Sequence, residues 1–241
     1  MTLGTLYGIG VGPGDPELIT VKGANLLSRC KHVFVPKART ASDSVALAIA
    51  SSYLGSDATV HELVFPMTAD TDELSSRWND SAAQVAEVLR TGEDACFLTL
   101  GDPLLYSTYI YLLRALREKL ADVEIVTVPG ITAFSAAAAA TEFAVGVAKE
   151  PVTIVPTADD LTSVRQAIDR GGTIVLMKIG KRLPEILDIL EETGVIDSSV
   201  FVSRVGMADQ RVETNMQLLR NSGSETGYLS IILVHASEEL S

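Results

Sequence analysis

Three times within the first 132 residues of the chain, a short apolar segment runs directly into a turn that contains glycine. The turns lie at residues 8–15, 101–103 and 129–132, and a helical pattern or an alanine run follows each of them. Apolar segments this short, bounded by glycine and proline, predict buried strands rather than helices. Strands that alternate with helices predict an α/β fold with a largely parallel first sheet.

The remaining elements follow from the same patterns. In the first half we predict strands at residues 3–11, 32–35, 59–63, 95–100 and 123–128, and helices at 20–29, 44–53, 72–90 and 107–119. In the second half we predict strands at 152–155, 173–177, 200–203, 211–214 and 228–234, and helices at 161–170 and 183–192. Strands lie closer together along the second half, which predicts a second, mixed sheet with antiparallel pairs.

The three glycine turns all fall at the carboxyl ends of predicted strands. In a parallel sheet these ends meet at one edge, where open α/β sheets bind their ligands. The first turn is not a dinucleotide fingerprint, because a G-x-G-x-x-G frame from Gly8 or Gly10 places Pro13 or Asp15 where the third glycine belongs. It is not a phosphate-binding P-loop either, since no Gly-Lys-Ser/Thr follows. Taken singly, each turn could also be an ordinary structural link between a strand and a helix.

Composition limits the partners of the chain. Its 47% hydrophobic content supports a packed core, and 19 basic against 31 acidic residues give a net charge of -12. We expect neither nucleic acid nor a membrane as a partner, because such a charge repels both. Cys30 and Cys96 are predicted core residues, and no metal site is predicted. The first residues lack the pattern of a signal peptide, so we expect a cytoplasmic protein.

Together and in this order, the three turns resemble those of the tetrapyrrole methylase family, the S-adenosylmethionine-dependent corrin and sirohaem methyltransferases. The family's G-x-G-P-G-D loop is similar to residues 10–15, and its D-x-x-L-x-T-x-x-A segment is similar to residues 15–24. Its GDP turn matches residues 101–103, and its P-G-[IV]-[ST]-[AS] segment matches residues 129–133. The resemblance covers essentially the whole chain, including residues 175–180, which are similar to a family strand that ends near a methionine.

The resemblance implies two α/β domains, residues 1–128 and 129–241, with the methyl donor S-adenosylmethionine held in a cleft between them. It also implies a homodimer and a tetrapyrrole substrate. The residues it assigns to the donor are Pro13, Gly101, Asp102, Pro103, Leu105, Thr132, Ala133, Met177, Met207 and Ser230. The residues it assigns to the substrate are Gly12, Gly14, Lys37, Arg39 and Tyr106.

Within the family, residues 33–39, 65–67 and 228–233 are similar to those of the branch that methylates C-20 of the cobalamin precursor precorrin-2 or of its cobalt form. Methylation at another tetrapyrrole position or of a macromolecule is the first alternative. A non-catalytic module that binds S-adenosylmethionine is the second. No sequence motif distinguishes the metal-free ring from the cobalt-bearing ring as the substrate.

Two kinds of side chain carry predicted chemistry. Asp15 is the carboxylate of the first loop, and we predict that it removes a proton from the ring or orients it. The alternative is that Asp15 caps the turn. Lys37 and Arg39 follow the second strand and are predicted to bind the acetate and propionate groups of the substrate. The alternative for both is a solvated surface charge.

Overall fold

The computed structural model describes residues 2–38, 44–65, 71–157 and 161–236. The chain divides into two compact α/β units, one that extends to Thr132 and one that begins at Ala133. The sheet of the first unit is all parallel and that of the second is mixed, so the predicted fold class is confirmed. The domain boundary predicted after residue 128 falls at the end of a strand, a few residues before this division.

Among the described residues, the first unit contains five strands and four α-helices. The strands are β1 (Leu6–Gly10), β2 (His32–Ala38), β3 (Thr59–Phe65), β4 (Ala95–Thr99) and β5 (Ile125–Val128). The helices are α1 (Val21–Leu27), α2 (Val45–Ala50), α3 (Thr71–Arg90) and α4 (Tyr109–Lys119). The strand order is β3-β2-β4-β1-β5, and every neighbouring pair is parallel.

Helices cover both faces of this sheet. Buried side chains of α1 and α2 pack with Ile9 and Leu98 on one face, while those of α3 and α4 pack with Leu6 and Phe97 on the other. The face of α3 that carries Ala82, Val85 and Leu89 is fully buried. Burial of a valine or leucine side chain such as Val85 or Leu89 stabilises the fold by about 1.5–3 kcal/mol. Helix α1 begins where predicted, with the Thr20 hydroxyl accepting the Gly23 N–H at 3.1 Å.

Strand β2 corrects one prediction. The sequence predicted that the strand ends at Val35 and is closed by Pro36, but it continues to Ala38 and pairs with β3 along its whole length. The pairing of β2 with β4 stops at Phe34. Beyond that point none of the described strands lies on that side of β2, and a proline, which has no N–H to donate, is tolerated at such an open edge.

The second unit is built around a central antiparallel strand. Within the described residues its strands are β6 (Val152–Pro156), β7 (Thr173–Met177), β8 (Ser199–Ser203), β9 (Arg211–Glu213) and β10 (Ser230–His235). Its helices are α5 (Ala133–Thr141), α6 (Thr162–Arg170) and α7 (Leu183–Glu192). The strand order is β6-β7-β10-β8-β9, in which β6 and β7 are parallel and the other pairs are antiparallel.

For the part of the chain that the structure describes, none of the helices combines the length and the apolar character that a membrane span requires.

Candidate active site at the carboxyl edge of the first sheet

The topology of the first unit predicts a ligand-binding crevice between β1 and β4. These strands are neighbours, yet the chain leaves β1 towards α1 on one face and leaves β4 towards α4 on the opposite face. The two connections therefore diverge and leave space at the carboxyl ends of the strands. Ligands of open α/β sheets bind at such a point. The first and second glycine turns follow β1 and β4, so both lie at this crevice, as predicted.

Four glycines bring the turns into contact. Gly12 and Gly101 form an isolated bridge, in which the Gly101 N–H donates to the Gly12 carbonyl at 2.8 Å. A Cβ atom on Gly10 would lie 2.6 Å from the Gly101 carbonyl oxygen, and one on Gly130 would lie 2.1 Å from the same atom. Real Cβ atoms do not approach this closely, so the backbones of all three turns pack together only because side chains are absent there.

Asp102 joins two of the turns through its carboxylate. Its Oδ1 accepts the Leu104 N–H at 2.9 Å, which shapes the turn after β4. Its Oδ2 accepts the Gly130 N–H at 3.1 Å, which ties this turn to the one after β5. The family resemblance implied that Asp102 binds the methyl donor. In the structure both of its oxygens hold backbone groups, so a positioning role accompanies any contact with a ligand.

Gly101 differs from Gly10 and Gly130 because it opens onto free space. A Cβ atom there would meet only the Ile131 carbonyl oxygen, at 4.0 Å, and the backbone φ is +71°. Around this opening Leu104, Tyr106 and Ile131 are exposed by 59%, 41% and 38%. Tyr106 also has a φ of 51°, which is strained for a residue with a side chain. A bound molecule could thus lie against the Gly101 backbone and cover apolar surface.

Tyr109 anchors α4 beneath the second turn. Its ring fills the place of a Gly8 side chain, since a Cβ on Gly8 would lie 2.1 Å from the ring. The Tyr109 hydroxyl is 3.0 Å from the Thr127 hydroxyl, and burial raises the pKa of the tyrosine. Because Tyr109 stays neutral and fully buried, it holds α4 against β1 and β5. Pro103 is buried and Leu105 half-buried in the turn that leads to it.

Thr99 was not predicted as a site residue. It is the last residue of β4, lies opposite Gly10, and is 5% exposed. Its Oγ1 has no hydrogen-bond partner among the described residues. A buried hydroxyl without a partner is costly and often marks a position that a ligand or water completes. Local sequence patterns carry no sign of this, because threonine is an ordinary strand residue.

The loop after β1 holds four predicted site residues. Gly12, Pro13 and Gly14 are buried, and Gly12 has a φ of +77°. Asp15 is half-buried, and its Oδ1 accepts the Glu17 N–H at 2.9 Å at the start of a short 3-10 helix. The capping interpretation of Asp15 is therefore realised in the structure. Capping uses the Oδ1 atom of Asp15. The catalytic role of Asp15 stays a prediction.

Lys37 lies near the same edge, close to the end of β2. Its Nζ forms an ion pair with Glu62 of β3 at 2.8 Å, and its side chain is 24% exposed. To bind a substrate carboxylate, Lys37 must therefore share its charge with Glu62. Arg39, predicted with it, lies outside the described residues, as do residues 66 and 67 of a segment that carried the resemblance.

Three of the four predicted donor residues of the second unit lie at one edge of its sheet. Met177 ends β7 and is buried, and its carbonyl accepts both the N–H (2.8 Å) and the hydroxyl (3.1 Å) of Thr157. Ser230 begins β10, opposite Ser203, and its hydroxyl donates to the Gly227 carbonyl at 2.7 Å. Met207 is half-exposed in the turn after β8.

The same edge of the second sheet carries backbone strain. Three residues at this edge have a positive φ. Lys178 follows β7 with a φ of 59°, Arg204 follows β8 with a φ of 51°, and Leu229 precedes β10 with a φ of 50°. Strained residues of this kind cluster at functional sites, which supports the prediction for this edge. Thr132 and Ala133 lie at the division between the units, half-buried in each case.

Two relatives match the chain along almost its whole length. The "Cobalt-precorrin-2 C(20)-methyltransferase" of Salmonella typhimurium is 32% identical over 238 residues, which cover 98% of each chain. The "Precorrin-2 C(20)-methyltransferase" of Sinorhizobium sp is 29% identical over 240 residues, which cover 96% of this chain and 95% of the relative.

Solved structures show the same fold at lower identity. Cobalt precorrin-4 methyltransferase, CbiF, superimposes with a TM-score of 0.72 at 23% identity and covers 96% of this chain and 94% of its own. The uroporphyrin-III C-methyl transferase from Thermus thermophilus, complexed with S-adenyl homocysteine, gives 0.65 at 19% identity and covers 96% and 97%. The family model of the tetrapyrrole (corrin/porphyrin) methylases matches residues 5–218. The chain belongs to the tetrapyrrole (corrin/porphyrin) methylase family.

Proposed function

We propose that this chain is an S-adenosylmethionine-dependent C-methyltransferase that acts on C-20 of precorrin-2 or of its cobalt form in cobalamin biosynthesis. The observation that carries the proposal is the match to the Salmonella enzyme, which covers 98% of both chains. A match of that extent includes all three glycine turns rather than one shared domain. We further expect a cytoplasmic homodimer, which the resemblance implies and which stays a prediction.

The residues at the crevice of the first unit fit the methyl donor. The donor has a planar adenosine and a short polar chain, so it needs backbone that it can approach closely and apolar surface to cover. Gly101 offers open space, and Leu104 and Ile131 offer exposed apolar side chains. The unpartnered hydroxyl of Thr99 is a polar group that a ligand at this edge can satisfy.

The protein's task in this reaction is mainly to position the reactants. When bound, the donor supplies a methyl group on a sulfonium, and the ring carbon forms the new C–C bond as the C–S bond breaks. Holding the two carbon atoms at about 3–3.5 Å supplies much of the rate. The packed glycines and the Asp102 bridge keep the turns in one arrangement, so the crevice is formed before the ligands arrive.

Residues of both units are proposed to bind the methyl donor. Six residues of the first unit bind the donor, and they are Pro13, Gly101, Asp102, Pro103, Leu105 and Thr132. For the second unit we retain the predicted donor residues, which are Ala133, Met177, Met207 and Ser230.

The substrate side is proposed in the same way. Gly12, Gly14 and Tyr106 contact the ring, and Asp15 takes its proton or orients it. Lys37 and Arg39 bind ring carboxylates, which a chain of net charge -12 must attract locally.

The proposal is tested by measuring donor binding and turnover separately. Calorimetry should show one S-adenosylmethionine site per chain, and S-adenosylhomocysteine should then form only when precorrin-2 or its cobalt form is added. Donor binding without turnover on any tetrapyrrole would instead identify a non-catalytic binding module. Turnover on a later corrin intermediate but not on these rings would place the chain in another branch of the family.

A further inference from the structure

The two cysteines of the chain lie together at the amino edge of the first sheet, away from the glycine turns. Cys30 follows α1 and precedes β2, and Cys96 is the second residue of β4. Their side chains are 5% and 0% exposed and belong to one hydrophobic cluster between the sheet, α1 and α2. Nothing in the proposed methyl transfer uses either thiol.

The hydrogen bonds of Cys30 place its sulfur beside β4. The Sγ atom lies 3.4 Å from the His32 carbonyl and 3.6 Å from the carbonyl of Asp94, the residue that precedes β4. Asp94 is two residues before Cys96, whose strand position is opposite Val33 of β2. Both cysteines belong to the same buried cluster, and each thiol shifts the pKa of the other. The prediction that both are core residues is confirmed, and within the core the two form a neighbouring pair.

The pair is chemically unequal. The hydrogen bond from Cys96 lowers the pKa of Cys30, which favours its thiolate. The same hydrogen bond, and then burial, raises the pKa of Cys96. The reactive form of cysteine is the thiolate, so Cys30 is the thiol that attacks the oxidant. Cys96 is the thiol that then attacks the oxidised Cys30.

Cys30 is also the member of the pair that a small molecule can reach. It lines a cavity of about 430 Å³ at the amino edge, together with Arg29, Lys31, Glu93 and Asp94. Cys96 does not line this cavity. The wall around Cys30 is thus polar and carries both signs of charge, which suits a small neutral oxidant such as hydrogen peroxide.

We propose that Cys30 and Cys96 are an oxidative modification site, at which a hydroperoxide closes an intramolecular disulfide. The Cys30 thiolate attacks the peroxide, so that an S–O bond forms, the O–O bond breaks, and the leaving hydroxide takes up a proton to become water. Cys96 sulfur then attacks the Cys30 sulfenic acid, the S–S bond forms, and a second water leaves with the proton of Cys96. Two thiols are oxidised and one peroxide is reduced to two waters. Disulfides of cytosolic proteins are usually transient and redox-sensing, as this one would be.

The site is tested by treating the folded chain with hydrogen peroxide, quenching, denaturing and alkylating. We expect the mass to fall by about 2 Da, the two hydrogens lost in a disulfide. Both cysteines should resist alkylation, one Cys30–Cys96 cross-linked peptide should appear, and dithiothreitol should reverse the change. In Cys96→Ser, Cys30 should stop at the sulfenic acid and be trapped by dimedone, whereas in Cys30→Ser the remaining thiol should stay alkylatable.

Three results would overturn this inference. Both thiols of the wild-type chain could remain alkylatable at a peroxide dose that consumes glutathione. The disulfide could form only between chains, seen as a dimer on a non-reducing gel. Or Cys96 could be trapped by dimedone in Cys30→Ser, which would reverse the assigned roles. Far-ultraviolet circular dichroism confirms that each serine variant is folded before its chemistry is scored.

Discussion

The Oδ2 atom of Asp102 accepts a hydrogen bond from the backbone N–H of Gly130 at 3.1 Å, across 28 positions of the chain. Its Oδ1 at the same time accepts the Leu104 N–H. One carboxylate therefore fixes the turn after β4 and holds it against the turn after β5. The relative position of these turns determines the shape of the crevice in which we propose that the methyl donor binds.

Asp102→Asn should weaken donor binding although the substitution is nearly isosteric. The amide group carries one acceptor oxygen, so one of the two backbone N–H groups loses its partner and faces an NH₂ group instead. A hydrogen bond to a charged group contributes about 1.5–3 kcal/mol, which corresponds to a loss of affinity of about tenfold or more. Calorimetric titration with S-adenosylmethionine measures it. The exposed Asp122→Asn is the control, and equal affinities of the two variants would contradict the bridging role.

Gly101 allows steric and conformational effects to be separated. Gly101→Ala adds a Cβ into open space but must adopt a φ of +71°, so it should cost about 1 kcal/mol of stability with a small effect on the donor. Gly101→Leu carries the same backbone strain and fills the opening, so it should abolish donor binding. Calorimetry on both folded variants decides. Donor affinity in the leucine variant equal to that in the alanine variant would show that the donor does not lie against Gly101.

The substitution Asp15→Asn distinguishes a capping role of Asp15 from a catalytic one. Asparagine caps about as well as aspartate, so Asp15→Asn should keep the hydrogen bond to Glu17 and the fold. If Asp15 removes a ring proton, single-turnover methyl transfer should slow by about 10²–10⁴-fold while donor affinity stays unchanged. A severalfold loss would indicate orientation of the ring. A wild-type rate in the variant would show that Asp15 is structural.

The lowered pKa of His61 predicts how the free energy of unfolding depends on pH. Burial, and then the charge of His32, lowers the pKa of His61, whose Nε2 lies 3.1 Å from the Nδ1 of His32. The unfolded chain therefore binds a proton more readily than the folded one below about pH 6.5. The contribution of His61 to the free energy of unfolding is complete above that pH and is lost as the pH falls. Glu93, whose pKa the hydrogen bond from His32 lowers, adds a loss in the same direction at more acidic pH.

The measurement is urea unfolding at pH 7 and pH 5, followed by the fluorescence of Trp78, the one tryptophan of the chain. His61→Phe retains an aromatic ring against Phe34, whose ring centroid lies 4.6 Å from that of His61. We expect a smaller fall in unfolding free energy between the two pH values in this variant than in the wild type. An equal fall in both proteins would contradict the assignment to His61.

Sequence alone predicted the order of the elements and the edge at which the glycine turns meet. Those features are local, since a short apolar segment beside glycine or proline specifies its own strand and turn. Pro36 misled the prediction because its effect depends on whether a neighbouring strand needs its N–H, which only the sheet order decides. The role of Asp102, the unpartnered hydroxyl of Thr99 and the pairing of Cys30 with Cys96 were not predictable for the same reason. Each depends on residues distant in sequence that the fold brings together.

The position of the transferred methyl group tests the central proposal most directly. The chain is incubated with S-adenosylmethionine labelled with ¹³C in its methyl group, and with precorrin-2 or its cobalt form in parallel. Carbon NMR of the product should show one labelled methyl group, bonded to C-20, in at least one of the two reactions. A labelled methyl at any other ring carbon, or no transfer to either ring by a chain that binds the donor, would contradict the proposed function.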